Sequence, residues 1–246
     1  HAGSWFYPTA QSDIADRVLE TDFQVSFVST LIDRSAITGL DALATMATTL
    51  SPHGTKGRQA DVTAAQFEGL ATIIDEPGPK YVFAHVLVPH EPYLFLEDGT
   101  FDPEAATYES QLRYSNAQIK KLVEPLLALP EDERPIIILQ SDEGPYPTRY
   151  EKDRDGFDWT TATPEELVTK FGVLNAMYLP GDEGLAPLPN GMSLVNTYPE
   201  VLRRYFDADM PYLPDRSYTI RGGALYDQTD ITERLNEAFA DRLDED

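Results

Sequence analysis

Asp142 and Glu143 are adjacent carboxylates that follow the apolar run Pro135-Ile136-Ile137-Ile138-Leu139 and precede Gly144-Pro145. Side by side they offer hard oxygen donors suited to magnesium, manganese or calcium, and a nearby neutral imidazole would add zinc to the choice. Acidic residues that follow strands also cap helices and satisfy loop backbone, so by itself the pair is a weak metal signature. His90 stands in Pro89-His90-Glu91-Pro92, a loop stiffened by two prolines. From such a loop an imidazole can donate to an anionic substrate, or it can bond to backbone. His85 lies inside an apolar run and reads as a satisfied core histidine, and His53, in a Pro-His-Gly loop, has no acidic neighbour. Arg149, Lys152 and Arg154 alternate with Glu151, Asp153 and Asp155, the pattern of a solvated charged loop.

The elements that must position these residues follow from periodicity. Ile136–Gln140 has no alternation, which predicts a strand buried on both faces with the acidic pair at its C-terminal edge, where open α/β sheets bind ligands. Tyr81–Val88 is β-branched and aromatic and predicts a second buried strand, ending at the His90 loop. Between them Tyr108–Leu129 reads as a long helix with Leu112, Ile119, Leu122, Val123, Leu126 and Leu127 inward, so that strand, helix and strand make a parallel crossover. Pro164–Lys170 is a short helix, Phe171–Leu179 a third strand, and Asn196–Phe206 a further helix. Upstream, Ser12–Leu50 carries apolar residues at helical spacing, and Asp61–Ile74 is an amphipathic helix ended by Pro77-Gly78-Pro79. Ile231–Leu243 suits a terminal helix or a partly ordered acidic tail.

With 246 residues, 41% of them hydrophobic and 11% aromatic, the chain can build a substantial core as one domain. The formal charge of −23 repels phosphate backbones and disfavours nucleic acid as a partner, so none is expected. An acidic surface that aids solubility explains the same charge. The chain has no cysteine, so disulfides and thiolate metal sites are impossible. No Gly-x-Ser-x-Gly elbow is present, which sets aside a serine α/β hydrolase.

Four segments, in order, carry a family resemblance: Phe83-Ala84-His85-Val86-Leu87-Val88-Pro89-His90-Glu91-Pro92-Tyr93; Tyr108 to Asn116; Ile136-Ile137-Ile138-Leu139-Gln140-Ser141-Asp142-Glu143-Gly144-Pro145; and Lys170-Phe171-Gly172-Val173-Leu174-Asn175-Ala176-Met177-Tyr178-Leu179-Pro180. A fifth, Ser193–Tyr198 with Leu213–Tyr218, is similar to the family's closing region. Together they resemble the sulfatase-like proteins of the alkaline phosphatase superfamily, especially the membrane-anchored branch similar to phosphoglycerol and phosphoethanolamine transferases. The resemblance implies an α/β fold with a largely parallel central sheet flanked by helices, incomplete at its N-terminal side. It divides the single domain into a helical lead-in at 1–79, an α/β core at 80–220 and a C-terminal tail at 221–246.

The resemblance further implies that Asp142 and Glu143 hold a divalent metal (manganese, magnesium, calcium or zinc) and that His90 meets a phosphate- or sulfate-ester substrate. Glu143 stands where the family has a histidine. The segments before residue 80 match neither the family's nucleophile nor its other metal carboxylate, which implies a C-terminal half whose counterpart is a missing N-terminal half or a membrane-protein partner. The implied setting is extracytoplasmic, periplasmic or at the cell surface, attached to a membrane protein. Two functions follow: a domain related to metal-dependent phosphoester or sulfoester hydrolases or transferases, or a non-catalytic scaffold or interaction subunit of a larger assembly. The aromatic opening Trp5-Phe6-Tyr7 suits the second.

Overall fold

The computed structural model describes residues 1–4, 9, 12–19, 54–181, 188, 191–221 and 224–243. Most of the helical segment expected at Ser12–Leu50, together with His53 and the aromatic opening Trp5-Phe6-Tyr7, lies outside the described residues. Residues 12–19 are bends and irregular chain, and Ile14 is fully exposed there. The chain packs as two compact units, His1–Arg134 and Pro135–Asp246.

In the first unit, helix α1 (Gly54–Thr72) begins well before the expected start at Asp61 and ends in a 3-10 turn at Ile73–Asp75. Lys80 closes that end by donating from Nζ to the carbonyls of Ile73, at 3.0 Å, and Glu76, at 2.5 Å, groups a helix C-terminus leaves without partners. Helix α2 (Tyr108–Leu127) starts at a capping box, in which the Thr107 hydroxyl accepts from the Ser110 N–H and the Ser110 hydroxyl from the Thr107 N–H. Its fully buried face is Gln111, Tyr114 and Ser115 rather than the leucine stripe, and Leu127 is exposed. Ile119 and Leu122 do pack inward, against a core of Ala60, Phe67, Leu94, Phe95 and Tyr114. The Tyr114 ring stacks on Phe95 at 4.3 Å and meets Phe67 edge-on at 6.2 Å.

In the second unit, β1 (Ile137–Gln140) pairs with β2 (Asn175–Tyr178), and β3 (Tyr218–Arg221) pairs with β4 (Ala224–Asp230), both antiparallel. Between β1 and β2 lie the short helix α3 (Thr148–Lys152) and helix α4 (Pro164–Phe171). Helix α4 is set by Pro164 in its first turn and by a Thr163–Glu166 capping box. After β2 come α5 (Thr197–Phe206) and, beyond β4, α6 (Thr232–Leu243). The segment left open as helix or tail is therefore helical. It packs on α4 through a core of Trp159, Ala162, Leu167, Ile231 and Leu235. Arg234 ties α6 to the preceding loop by donating to the carbonyls of Trp159, at 3.2 Å, and Ala162, at 2.7 Å.

The expected largely parallel central sheet of the alkaline phosphatase type does not form. Among the described residues the strands make only two separate two-stranded antiparallel sheets. The proposed first strand, Tyr81–Val88, is irregular chain whose one sheet-like contact is a parallel bridge from Ala84 to Ala2. Tyr81, Val82 and Phe83 are exposed, and Val86 and Val88 pack against the first unit's core without pairing as a strand. Without it the strand–helix–strand crossover has no first member. Nor is β1 buried on both faces: Ile137, Ile138 and Leu139 are half-buried and Gln140 is exposed. The run predicted the strand correctly and its environment wrongly, because period cannot separate a two-sided core strand from one half-covered by a single neighbour.

Candidate functional site

The acidic pair sits on the loop Ser141–Tyr146, which is fixed at both ends. On the β1 side, Ser141 N–H donates to Leu174 O at 3.0 Å, and Leu174 N–H returns to Ser141 Oγ at 2.9 Å, extending the β1–β2 pairing by one step. On the far side, Gly144 N–H donates to Lys170 O at 2.8 Å, using a carbonyl in the last turn of α4. The approach is so close that a Cβ on residue 144 would lie 2.0 Å from Thr169 O, which is why glycine stands there.

Lys170 is the residue around which this loop is organised. Its side chain is 8% exposed, and Nζ lies 2.5 Å from Glu143 Oε2, 3.2 Å from Gly144 O and 3.3 Å above the centre of the Tyr146 ring. Carboxylate, carbonyl and π-face thus all compensate one desolvated ammonium. Burial lowers the Lys170 pKa, opposed first by the hydrogen bond and charge of Glu143 and then by the charge of Asp142. The Tyr146 phenol is pushed up to about 12, first by burial and then by the Glu143 carboxylate, whose Oε2 is 3.5 Å from its hydroxyl. Tyr146 stacks on Tyr150 at 4.7 Å, and the Arg154 guanidinium lies 5.6 Å from its ring. Arg149 is exposed, as expected of a solvated charged loop. It pairs with Glu166 at 3.2 Å and lies over Phe157 at 4.8 Å.

The two carboxylates have separate circumstances. Glu143 is engaged by Lys170, so a cation binding it would face an ammonium already in contact. Asp142 is exposed, with Oδ1 accepting from the Glu143 N–H at 3.0 Å. Among the described residues no three or more His, Asp or Glu side chains gather as a metal group. Asp142 is therefore the one carboxylate of the pair open to a hard cation, and magnesium-type ions are often held by one or two carboxylates with water and substrate oxygens completing the shell.

His90 belongs to the first unit, Asp142 and Glu143 to the second. Exposed on its loop, His90 donates from Nδ1 to Glu91 O at 2.5 Å, which places a proton on that nitrogen. That loop is braced by the fully buried Gln111, whose Nε2 donates to His90 O at 2.9 Å and Pro92 O at 3.4 Å while its Oε1 accepts from Leu94 N–H at 2.7 Å. His85, expected as a core histidine of a strand, is partly buried in irregular chain, and its Nδ1 meets Thr9 Oγ1 at 2.6 Å.

Sequence reasoning missed Lys170 and Tyr146. A signal for Lys170 existed, since it falls three residues after Leu167 and so on the buried stripe of α4, where a lysine requires a counter-charge. Tyr146 offered none. Comparison with protein-family models, with curated proteins and with solved structures finds no match for this chain.

Proposed function

We propose that the chain is an extracytoplasmic, sulfatase-like unit related to metal-dependent phosphoester and sulfoester hydrolases or transferases, with Ser141–Tyr146 as its ester-facing loop. The observation that carries this reading is the exposed Asp142 on a loop anchored at Ser141 and Gly144, beside the Lys170 ammonium. A carboxylate open to a hard cation next to a desolvated cationic group is a charge pattern that suits the oxygens of a phosphate or sulfate ester. Asp142 would hold magnesium or manganese, together with substrate oxygens and water. The metal, when bound, would neutralise charge on those oxygens. Glu143 would act as the counter-charge that keeps Lys170 protonated. The nucleophile and further ligands would come from an N-terminal half or a membrane-protein partner.

A second reading, a non-catalytic interaction subunit, is favoured by the same Lys170–Glu143 pair, because it withdraws one of the two expected metal carboxylates. The apolar side chains Phe206, Met210 and Leu213, exposed on and after α5, support it as well.

Equilibrium dialysis against manganese, with and without 4-nitrophenyl phosphate or sulfate, separates the readings. Metal retained by the protein, lost in Asp142→Ala and held more tightly when the ester is present supports the hydrolase or transferase reading. Retention that the ester leaves unchanged supports the scaffold reading. Equal metal content in both proteins removes Asp142 as a ligand.

A further inference from the structure

Thr9 and His85 are 76 residues apart in sequence, yet Thr9 Oγ1 lies 2.6 Å from His85 Nδ1. Ser4 Oγ is 3.0 Å from the same Thr9 oxygen, giving a line of hydroxyl, hydroxyl and imidazole. Buried backbone and side-chain bonds hold both ends of that line. Ala2 N–H donates to Phe83 O at 2.9 Å and His85 N–H to Ala2 O at 3.1 Å. Gln66 of α1, 1% exposed, donates from Nε2 to Gly3 O at 2.6 Å and His85 O at 2.9 Å, which fixes both backbones at once. His1 Nε2 donates to Thr9 O at 3.0 Å. Thr9 and His85 themselves are only partly buried, so the pair is held without being sealed off.

A hydroxyl hydrogen-bonded to an imidazole nitrogen, with that imidazole held by its own backbone, is the geometry of a base-activated nucleophile. We propose that Thr9 and His85 form a nucleophilic pair that takes the acyl group of a neutral, apolar carboxylic ester. Thr9 Oγ bonds to the carbonyl carbon as its proton passes to His85 Nδ1. The bond from that carbon to the leaving oxygen breaks, and the alcohol departs with the proton. Water, giving a proton to the same nitrogen, then releases the acid and restores the hydroxyl. One observation selects the substrate class. Phe83 stacks on His1, whose Nε2 donates to Thr9 O, at 5.6 Å between ring centres and is 41% exposed, which offers an apolar face beside the pair.

The test uses the full chain and 4-nitrophenyl butyrate. Release of nitrophenol should be accompanied by a butyryl group that peptide mapping by mass spectrometry places on Thr9. Thr9→Val and His85→Gln should each lower the rate by about a hundredfold or more. Thr9→Ser, which keeps the hydroxyl, should retain most of the activity, and circular dichroism shows whether each variant is folded. The proposal is overturned by release no faster than in buffer, by acylation elsewhere than Thr9, or by a folded Thr9→Val as fast as the parent. Any of these would leave the contact as a structural clasp between residues 9 and 85, and none bears on metal binding at Asp142.

Discussion

Lys170 Nζ lies 2.5 Å from Glu143 Oε2, but the two partners do not share one environment: the lysine side chain is 8% exposed and the glutamate 37%. Removing either therefore has unequal consequences. Glu143→Ala strands a buried ammonium and should cost about 2–3 kcal/mol. Lys170→Met leaves a carboxylate that can rehydrate, and should cost about 1 kcal/mol, mainly through the bond to Gly144 O. Urea unfolding of both variants checks the order, and the double variant Glu143→Gln/Lys170→Met should recover most of the loss. Equal losses from the two single variants would mean that the pair is solvated.

Gly144 faces backbone rather than a movable side chain. A methyl group there would sit 2.0 Å from Thr169 O and 3.1 Å from Lys170 O, both at the end of α4. Gly144→Ala should destabilise by about 2–3 kcal/mol, since the loop has to pull away from the helix and lose the Gly144 N–H bond to Lys170 O. Gly78, with no atom within 4 Å of its added Cβ but a φ of 85°, is the control, whose Ala variant should lose only about 1 kcal/mol to backbone strain. A Gly144→Ala protein as stable as the parent would show that the loop is not clamped.

Local signals located most elements, and tertiary environment decided what they missed. Pro164 announced the start of α4, because proline suits the first helical turn, whereas Asn196 precedes α5 without a side-chain capping bond and spends its amide on Leu213 and Asp215. Strands β1 and β2 fell inside predicted runs. Their direction did not follow, since it depends on which segments pair, and Tyr81–Val88, the intended neighbour, stays irregular and partly exposed. The position of Asp142 just past β1 was legible, whereas the pairing of Glu143 turned on Lys170, a residue 27 positions later whose place on the buried stripe shows only once α4 is read as a helix packed on one face.

Gln111 was invisible for a related reason, being a polar residue on the buried face of α2. Its amide satisfies His90 O, Pro92 O and Leu94 N–H together, so it shapes the loop that carries His90. Gln111→Leu keeps the volume and removes the bonds. We expect a loss of about 2–4 kcal/mol, because at least one buried backbone donor, Leu94 N–H, is left unpaired. Hydrogen exchange should speed up at Leu94 and leave α4 unaffected. Unchanged exchange at Leu94 would mean that water replaces the glutamine.

Alkaline pH separates the two titrating neighbours of Glu143 by sign. The Tyr146 phenol is raised from 10.0 to about 12, so its contribution to stability is complete below pH 10 and is lost as pH climbs through about 12. Lys170 is shifted the other way, below 10.5, so the penalty on its buried charge is present at neutral pH and is relieved as pH rises towards 10.5. Near pH 10 the two trends partly cancel, and above about pH 10.5 only the tyrosine acts. The stability advantage of the parent over Tyr146→Phe, read from urea midpoints, should therefore be constant up to about pH 9 and shrink by about pH 11. Lys170→Met should show the shrinkage from pH 10 onward with no compensating rise before it. Because Tyr108 and Tyr114 are also raised by burial, the difference between each variant and the parent carries the test, and a pH-independent difference for Tyr146→Phe would show that its phenol titrates alike in folded and unfolded chains.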